Sequence, residues 1–236
     1  MARYPLDFGI SYLALFCSAS PPQTRCQEAG WQRKHDDTTY LATVYYRQTY
    51  HAFTTITRYI DAVTLLTTHE NLSTNRSGGL ELAATRDVGH DVTVNFSSNA
   101  FYSEIDASNL GYSSNRSAVA WNAKLNASWH ATKTDLVQFN TNYTAKRLTA
   151  QGDRLPTFIA NVGLRHELAN KQTAFVFTVS DLFNSLKERS VINTPILHDE
   201  ITRRRSARII YAGFVYNFGK ATKKKKDDSL QFDDKL

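Results

Sequence analysis

Along most of the chain, apolar and polar side chains alternate with a period of two, the spacing that sends successive side chains to opposite faces of a strand. Val119, Trp121, Ala123, Leu125, Ala127 and Trp129 share one face, while Asn122, Lys124, Asn126, Ser128 and His130 share the other. The next segment sets Val137, Phe139, Tyr143 and Ala145 against Gln138, Asn140, Asn142, Thr144 and Lys146. The pattern recurs at Tyr40 to Tyr46, Leu80 to Ala84, Val92 to Phe96 and Phe158 to Leu164. None of these segments carries the three- and four-residue spacing of an amphipathic helix. The alternation predicts about nine strands, at 26–34, 39–53, 73–86, 92–104, 117–131, 136–148, 157–168, 173–185 and 206–218.

Strand length and link length narrow the fold further. Most of these segments are far longer than the roughly 5–6 residues typical of a globular strand, and long enough for the roughly 9–11 that a tilted strand needs to cross a bilayer. The links alternate strictly. Those at 35–38, 87–91, 132–135 and 169–172 are short and polar, and those at 54–72, 105–116, 149–156 and 186–205 are long. Short turns at one end and long loops at the other describe an all-β, antiparallel up-and-down transmembrane β-barrel of the outer-membrane kind. On this reading Trp121, Leu125, Trp129, Val137, Phe139 and Val162 face lipid, and the Asn-, Ser- and Thr-rich face meets water. The competing architecture is a soluble or surface β-sandwich, a binding module or adhesin that uses Trp121 and Trp129 to hold carbohydrate.

Composition agrees. The chain has 236 residues, enough for a sizeable core, with 12% aromatic side chains and a net charge of +6. The excess charge is local, in Arg203–Arg205 and Lys223–Lys226, so it does not spread a nucleic-acid footprint over the chain. Cys17 and Cys26 are the only cysteines, which excludes a disulfide scaffold and a cysteine zinc cluster. Gly9–Ala19 is apolar, but the basic flank of a secretory signal is weak, so 1–23 reads as a poorly patterned leader. The barrel segment spans 24–219, and 220–236 is a charged, disordered tail on the periplasmic side.

The C-terminal stretch Tyr211-Ala212-Gly213-Phe214-Val215-Tyr216-Asn217-Phe218 places aromatics at alternating final positions. It resembles the terminal strand that outer-membrane barrels present to the barrel-assembly machinery, which singles out Tyr211, Gly213, Tyr216 and Phe218. Together with Glu28-Ala29-Gly30-Trp31, Asn75-Arg76-Ser77-Gly78-Gly79-Leu80-Glu81-Leu82, Phe177-Thr178-Val179-Ser180-Asp181-Leu182-Phe183-Asn184 and Tyr216-Asn217-Phe218-Gly219, it carries a wider likeness. Over about residues 24–220 the chain resembles the C-terminal barrel of TonB-dependent outer-membrane receptors and the outer-membrane β-barrel family related to them. The resemblance implies residence in the outer membrane, outer-membrane lipid and the assembly machinery as partners, and a family role in importing siderophore-type or other bulky nutrients. TonB and a nutrient ligand are partners of the intact family. A plug, a TonB box and the earlier half of the barrel have no counterpart in this sequence, so the expectation is an open half-barrel that does not transport alone.

Candidate chemistry is sparse. The seven histidines are scattered without metal-ligand spacing, and no GxSxG, P-loop or GxGxxG motif occurs. The reading is therefore no enzyme, no cofactor, no metal and no nucleic-acid partner. Six Asn-x-Ser/Thr triplets start at Asn71, Asn75, Asn95, Asn115, Asn126 and Asn142, three of them mid-strand on the polar face, as Asn-rich strands produce by themselves. Arg203, Arg204 and Arg205, at the end of the last long link, are candidate contacts for a surface anion.

Overall fold

The computed structural model describes residues 11–12, 23–61, 64–72, 74–108, 115–169, 172–204 and 208–218. Its strands are β1 (Ser11–Tyr12), β2 (Gln23–His35), β3 (Thr38–Tyr50), β4 (Phe53–Tyr59), β5 (Leu65–Asn71), β6 (Thr74–Val88), β7 (Val92–Asp106) and β8 (Arg116–His130). They continue with β9 (Asp135–Thr144), β10 (Arg147–Leu148), β11 (Gly152–Arg154), β12 (Thr157–Glu167), β13 (Thr173–Ser180), β14 (Glu188–Asn193), β15 (His198–Arg203) and β16 (Ile209–Tyr216). Ten strands form one antiparallel sheet in the order β1-β2-β3-β6-β7-β8-β9-β12-β13-β16, whose two ends do not pair. The nine long strands are those the alternation predicts, and the sheet is open.

Register turns the alternation into two faces. Val44, Leu80, Ala100 and Trp121 lie side by side across β3, β6, β7 and β8. Ala127, Phe139, Val162, Val179 and Ile210 continue the same face to β16. Much of this apolar face is bare, with Val119 74% and Trp121 48% exposed. A sandwich would bury it beneath a second sheet, and the described strands place none there. The sandwich alternative is thereby set aside.

The long links hold more structure than expected. The link after β3 folds into the β4–β5 hairpin. The links after β9 and β13 meet in a second, four-stranded sheet, β10-β11-β14-β15. Three predicted strand ends also shorten: β3 stops at Tyr50, β9 at Thr144 and β13 at Ser180. Past these points the chain leaves the main sheet to build the loop layer. Within the predicted leader, Ser11–Tyr12 pairs with Ala29–Gly30, whereas the tail at 220–236 lies outside the described residues.

The loop layer has its own core. Ala52, Ile56, Leu72, Ala107 and Ala150 bury one another together with Ile105 of β7. Ile105, on the mostly polar face, thereby finds apolar partners. Gln151 then ties hairpin to link: its side-chain oxygen accepts from Thr57 N–H at 2.6 Å and its amide donates to Thr57 C=O at 2.7 Å. A buried backbone pair is satisfied by one side chain, as a neighbouring strand would satisfy it. Two glycines allow close approaches. A Cβ on Gly79 would stand 2.6 Å from Ala100 O, and one on Gly152 only 1.8 Å from Val191 O. No side chain fits at either, so Gly79 brings β6 against β7 and Gly152 brings β11 against β14.

Candidate functional site

Because the period is two, the residues opposite the apolar set share the other face, and their side chains meet across strands. Thr39, Thr85, Asn95, Asn126, Asn140 and Asn161 are aligned in one row over β3, β6, β7, β8, β9 and β12. Thr85 donates to Asn95 at 2.8 Å. Asn140 donates to Asn126, and Asn161 donates to Asn140 at 3.0 Å. Ser180 Oγ and Asp181 N–H both donate to Asn161 Oδ1, at 3.2 and 2.9 Å. Amides carry donor and acceptor together, so one asparagine per strand passes the bond onward.

Asp181 ends this row. It is fully buried, in the left-handed region at φ 47°, which Asp tolerates in turns. Its carboxylate accepts from Ser185 N–H at 2.8 Å and Leu186 N–H at 3.1 Å, and also from Ser185 Oγ. Phe183 lies beside Phe158, ring centroids 6.3 Å apart, while Leu182 N–H reaches Ala160 O at 2.7 Å. The Ser-Asp-Leu-Phe-Asn stretch is therefore a turn that halts β13 and steers the chain into the loop layer.

Nearer the long links, the polar face lines a half-open cavity of about 370 Å³. Its wall takes Tyr45 and Arg47 from β3, Asn75 and Glu81 from β6, Asn99 and Phe101 from β7 and Asn122 from β8; Arg147 and Leu148 of β10 line it from the loop layer. Tyr45 and Asn99 hydrogen-bond across β6 at 3.2–3.3 Å, a contact that side-chain-free Gly79 leaves open between them. Behind the cavity, Arg116 donates to Thr149 O and Gly152 O, at 3.2 and 2.9 Å, and Asp153 pairs with Arg116 at 3.6 Å and Lys146 at 3.1 Å. Burial, and after it the charge of Arg154, lower the pKa of the Arg147 guanidinium. Arg147 and Arg154 stand directly opposite on β10 and β11.

The predicted site residues separate into three places. Trp121, Leu125, Trp129, Val137, Phe139 and Val162 all share the apolar face, and Trp121 packs on Tyr143 at 4.6 Å. On β16, Tyr216 shares that face and pairs with Thr173, while Tyr211 and Gly213 oppose Thr178 and Val176 on the other. Phe218 follows the strand and meets Tyr216 edge-on at 4.7 Å. A Cβ on Gly213 would find nothing closer than 3.9 Å, so packing within the sheet does not demand glycine there. Arg203 ends β15 opposite Glu188, Arg204 is exposed beside it, and Arg205 lies outside the described residues. Neither Arg203 nor Arg204 lines the cavity. Arg47 and Arg147, which do, were not singled out by the sequence, because only the loop layer brings Arg147 over β3. Among the described residues no group of His, Cys, Asp and Glu is arranged to hold a metal ion.

The model of one protein family, described as the outer membrane protein beta-barrel family, matches residues 20–216. No curated protein and no solved structure matches the chain.

Proposed function

Since this chain belongs to the outer membrane protein β-barrel family, we propose that it is the C-terminal barrel portion of a TonB-dependent nutrient receptor, with its apolar face in lipid. The observation that carries the membrane reading is the segregation of faces through nine long antiparallel strands, whose short links all lie at one end. The exposed Val119, Trp121, Phe175, Ile210 and Phe214 then meet hydrocarbon, and the face that carries the asparagine row lies on the water-filled side. The short-link end is periplasmic, and so is the C-terminal tail; the loop layer faces the outside. β16, with every residue exposed at an unpaired edge, is the strand offered to the barrel-assembly machinery through Tyr211, Gly213, Tyr216 and Phe218. Support for the receptor role is the order of the Gly-Gly-Leu-Glu-Leu, Ser-Asp-Leu-Phe-Asn and Tyr-Asn-Phe-Gly stretches, with Asp181 buried as a turn builder rather than free for chemistry. On this reading the chain helps to hold a ligand rather than to transform one, and does not transport it alone.

Two measurements test this at its two levels. Extraction from outer membranes in detergent, with gel mobility that shifts on heating, is the expected behaviour of the barrel. Recovery as a detergent-free periplasmic protein overturns it. For the receptor role, in-cell crosslinking is expected to join the chain to TonB or to a plug-bearing segment. Crosslinks to neither, from a chain correctly placed in the membrane, sink the receptor role and leave the barrel standing.

A further inference from the structure

The charges around the cavity do not balance. Arg116 and Lys146 share Asp153, but the guanidinium groups of Arg147 and Arg154 have no carboxylate or hydrogen-bond partner among the described residues. They nonetheless stand directly opposite each other on β10 and β11, where like charges repel. Among the described residues, Arg47, across the cavity from β10, pairs only with Glu28, at 4.0 Å. Glu81 is the one carboxylate on a wall that carries both Arg47 and Arg147. On the same wall, the buried side-chain oxygen of Asn75 has no hydrogen-bond partner among the described residues. Buried acceptors are satisfied in nearly all folded proteins, so this one calls for a donor.

We propose that this cavity binds a small organic anion that also carries hydroxyl groups, with Arg147 and Arg47 gripping its charge and Asn75 accepting from a hydroxyl. Guanidinium forks suit carboxylate or phosphate oxygens, and a volume of about 370 Å³ falls within the range of small-molecule pockets. Arg154 raises the local positive potential behind Arg147. A bound anion relieves the repulsion between the two, which gives the cross-strand arginine pair a reason to exist. The inference rests on the polar face being the water-filled side and names what that side holds. The same chemistry could come from a soluble hydroxy acid or from the phosphates and sugar hydroxyls of lipopolysaccharide.

The test uses the full chain refolded in detergent micelles, titrated with citrate in one arm and lipopolysaccharide in the other, and followed by tryptophan fluorescence and calorimetry. Tricarballylate, which is citrate without its hydroxyl, probes Asn75. Arg147→Gln and Arg47→Gln are each expected to weaken binding about tenfold or more, with Arg33→Gln, on the opposite face, unchanged. Tricarballylate is expected to bind more weakly than citrate to the parent chain and about equally to Asn75→Ala. Saturable binding of either probe with this arginine dependence supports the site, and the arm that responds identifies the source. Binding that survives both arginine changes, or no binding in either arm, overturns it. Heat-shifted gel mobility is read separately for every variant. A folded barrel that binds neither probe therefore costs the anion site and leaves the membrane reading intact.

Discussion

Leu125 and Asn126 are neighbours in sequence and belong to different surroundings. Leu125 lies beside Phe96 on the apolar face, and Asn126 accepts from Asn140 on the other. Arginine at mid-membrane depth on a lipid face costs about 2–4 kcal/mol, whereas a lost neutral hydrogen bond costs roughly 1. Leu125→Arg is therefore expected to reduce assembly into the outer membrane far more than Asn126→Arg, even though the latter breaks the asparagine row. Equal yields of heat-shifted protein from the two would show that the faces are exchanged. Asp181 offers a second contrast. Asp181 is itself fully buried, and its carboxylate holds two backbone N–H groups and a hydroxyl, so Asp181→Ala strands the two N–H donors. The expected loss is on the order of 3 kcal/mol in urea unfolding from micelles; a loss under about 0.5 kcal/mol, the scale of an ordinary surface change, would deny the turn its structural part. The faces of Leu125 and Asn126 were legible from alternation alone. The burial of Asp181 was not, because a carboxylate three residues from Asn184 reads as an ordinary surface turn until Asn161 is brought beside it.

The long strands and the layer above them were unequally visible. Alternation dominates the middle of β6, β7 and β8, so their existence followed from the period of two, with ends displaced by only a residue or two. β10 and β11 contain two and three residues, too few for any period to show, and β14 and β15 pair through a link whose ends lie far apart in sequence from β11. Nothing local marks such contacts. Gln151 is the test of whether this layer is a built element. Replacing it with leucine leaves Thr57 N–H and C=O buried without partners, at about 1–3 kcal/mol for each group. Gln151→Leu is thus expected to speed amide exchange at Thr57 and to open 53–71 to protease, while the long strands keep their protection. Unchanged exchange at Thr57 would mean that the apolar cluster around Ile56 holds the hairpin unaided.

At the scale of the whole molecule, direction decides what the sheet can enclose. Nine successive antiparallel strands, from β2 to β16, begin and end on strands that run the same way. Those two edges cannot close in the antiparallel manner of single-chain bacterial barrels. β1 reverses direction at one edge, through Ser11 and Tyr12 among the described residues. Unsatisfied N–H and C=O groups cost several kcal/mol each in hydrocarbon, so the isolated chain is expected to acquire further strands rather than sit open in lipid. Planar-bilayer recording of the refolded chain should accordingly show no stable, uniform unit conductance from monomers. Its appearance would mean that β1 lengthens into a full strand and closes the ring.

Strand length also differs across the sheet. β6, β7 and β8 have 15 residues each, and β13 and β16 have 8, a difference of seven residues. At about 3.3 Å per residue, that is roughly 23 Å of wall. Links of a few residues tie neighbouring strands together at one end, so the difference emerges at the other. The main sheet's edge on the long-link side is therefore a ramp, high along β6 to β8 and low along β13 and β16, and the loop layer rises from its low flank. A bulky visitor arriving from that side meets a sheer parapet on one flank and a tier of short strands on the other.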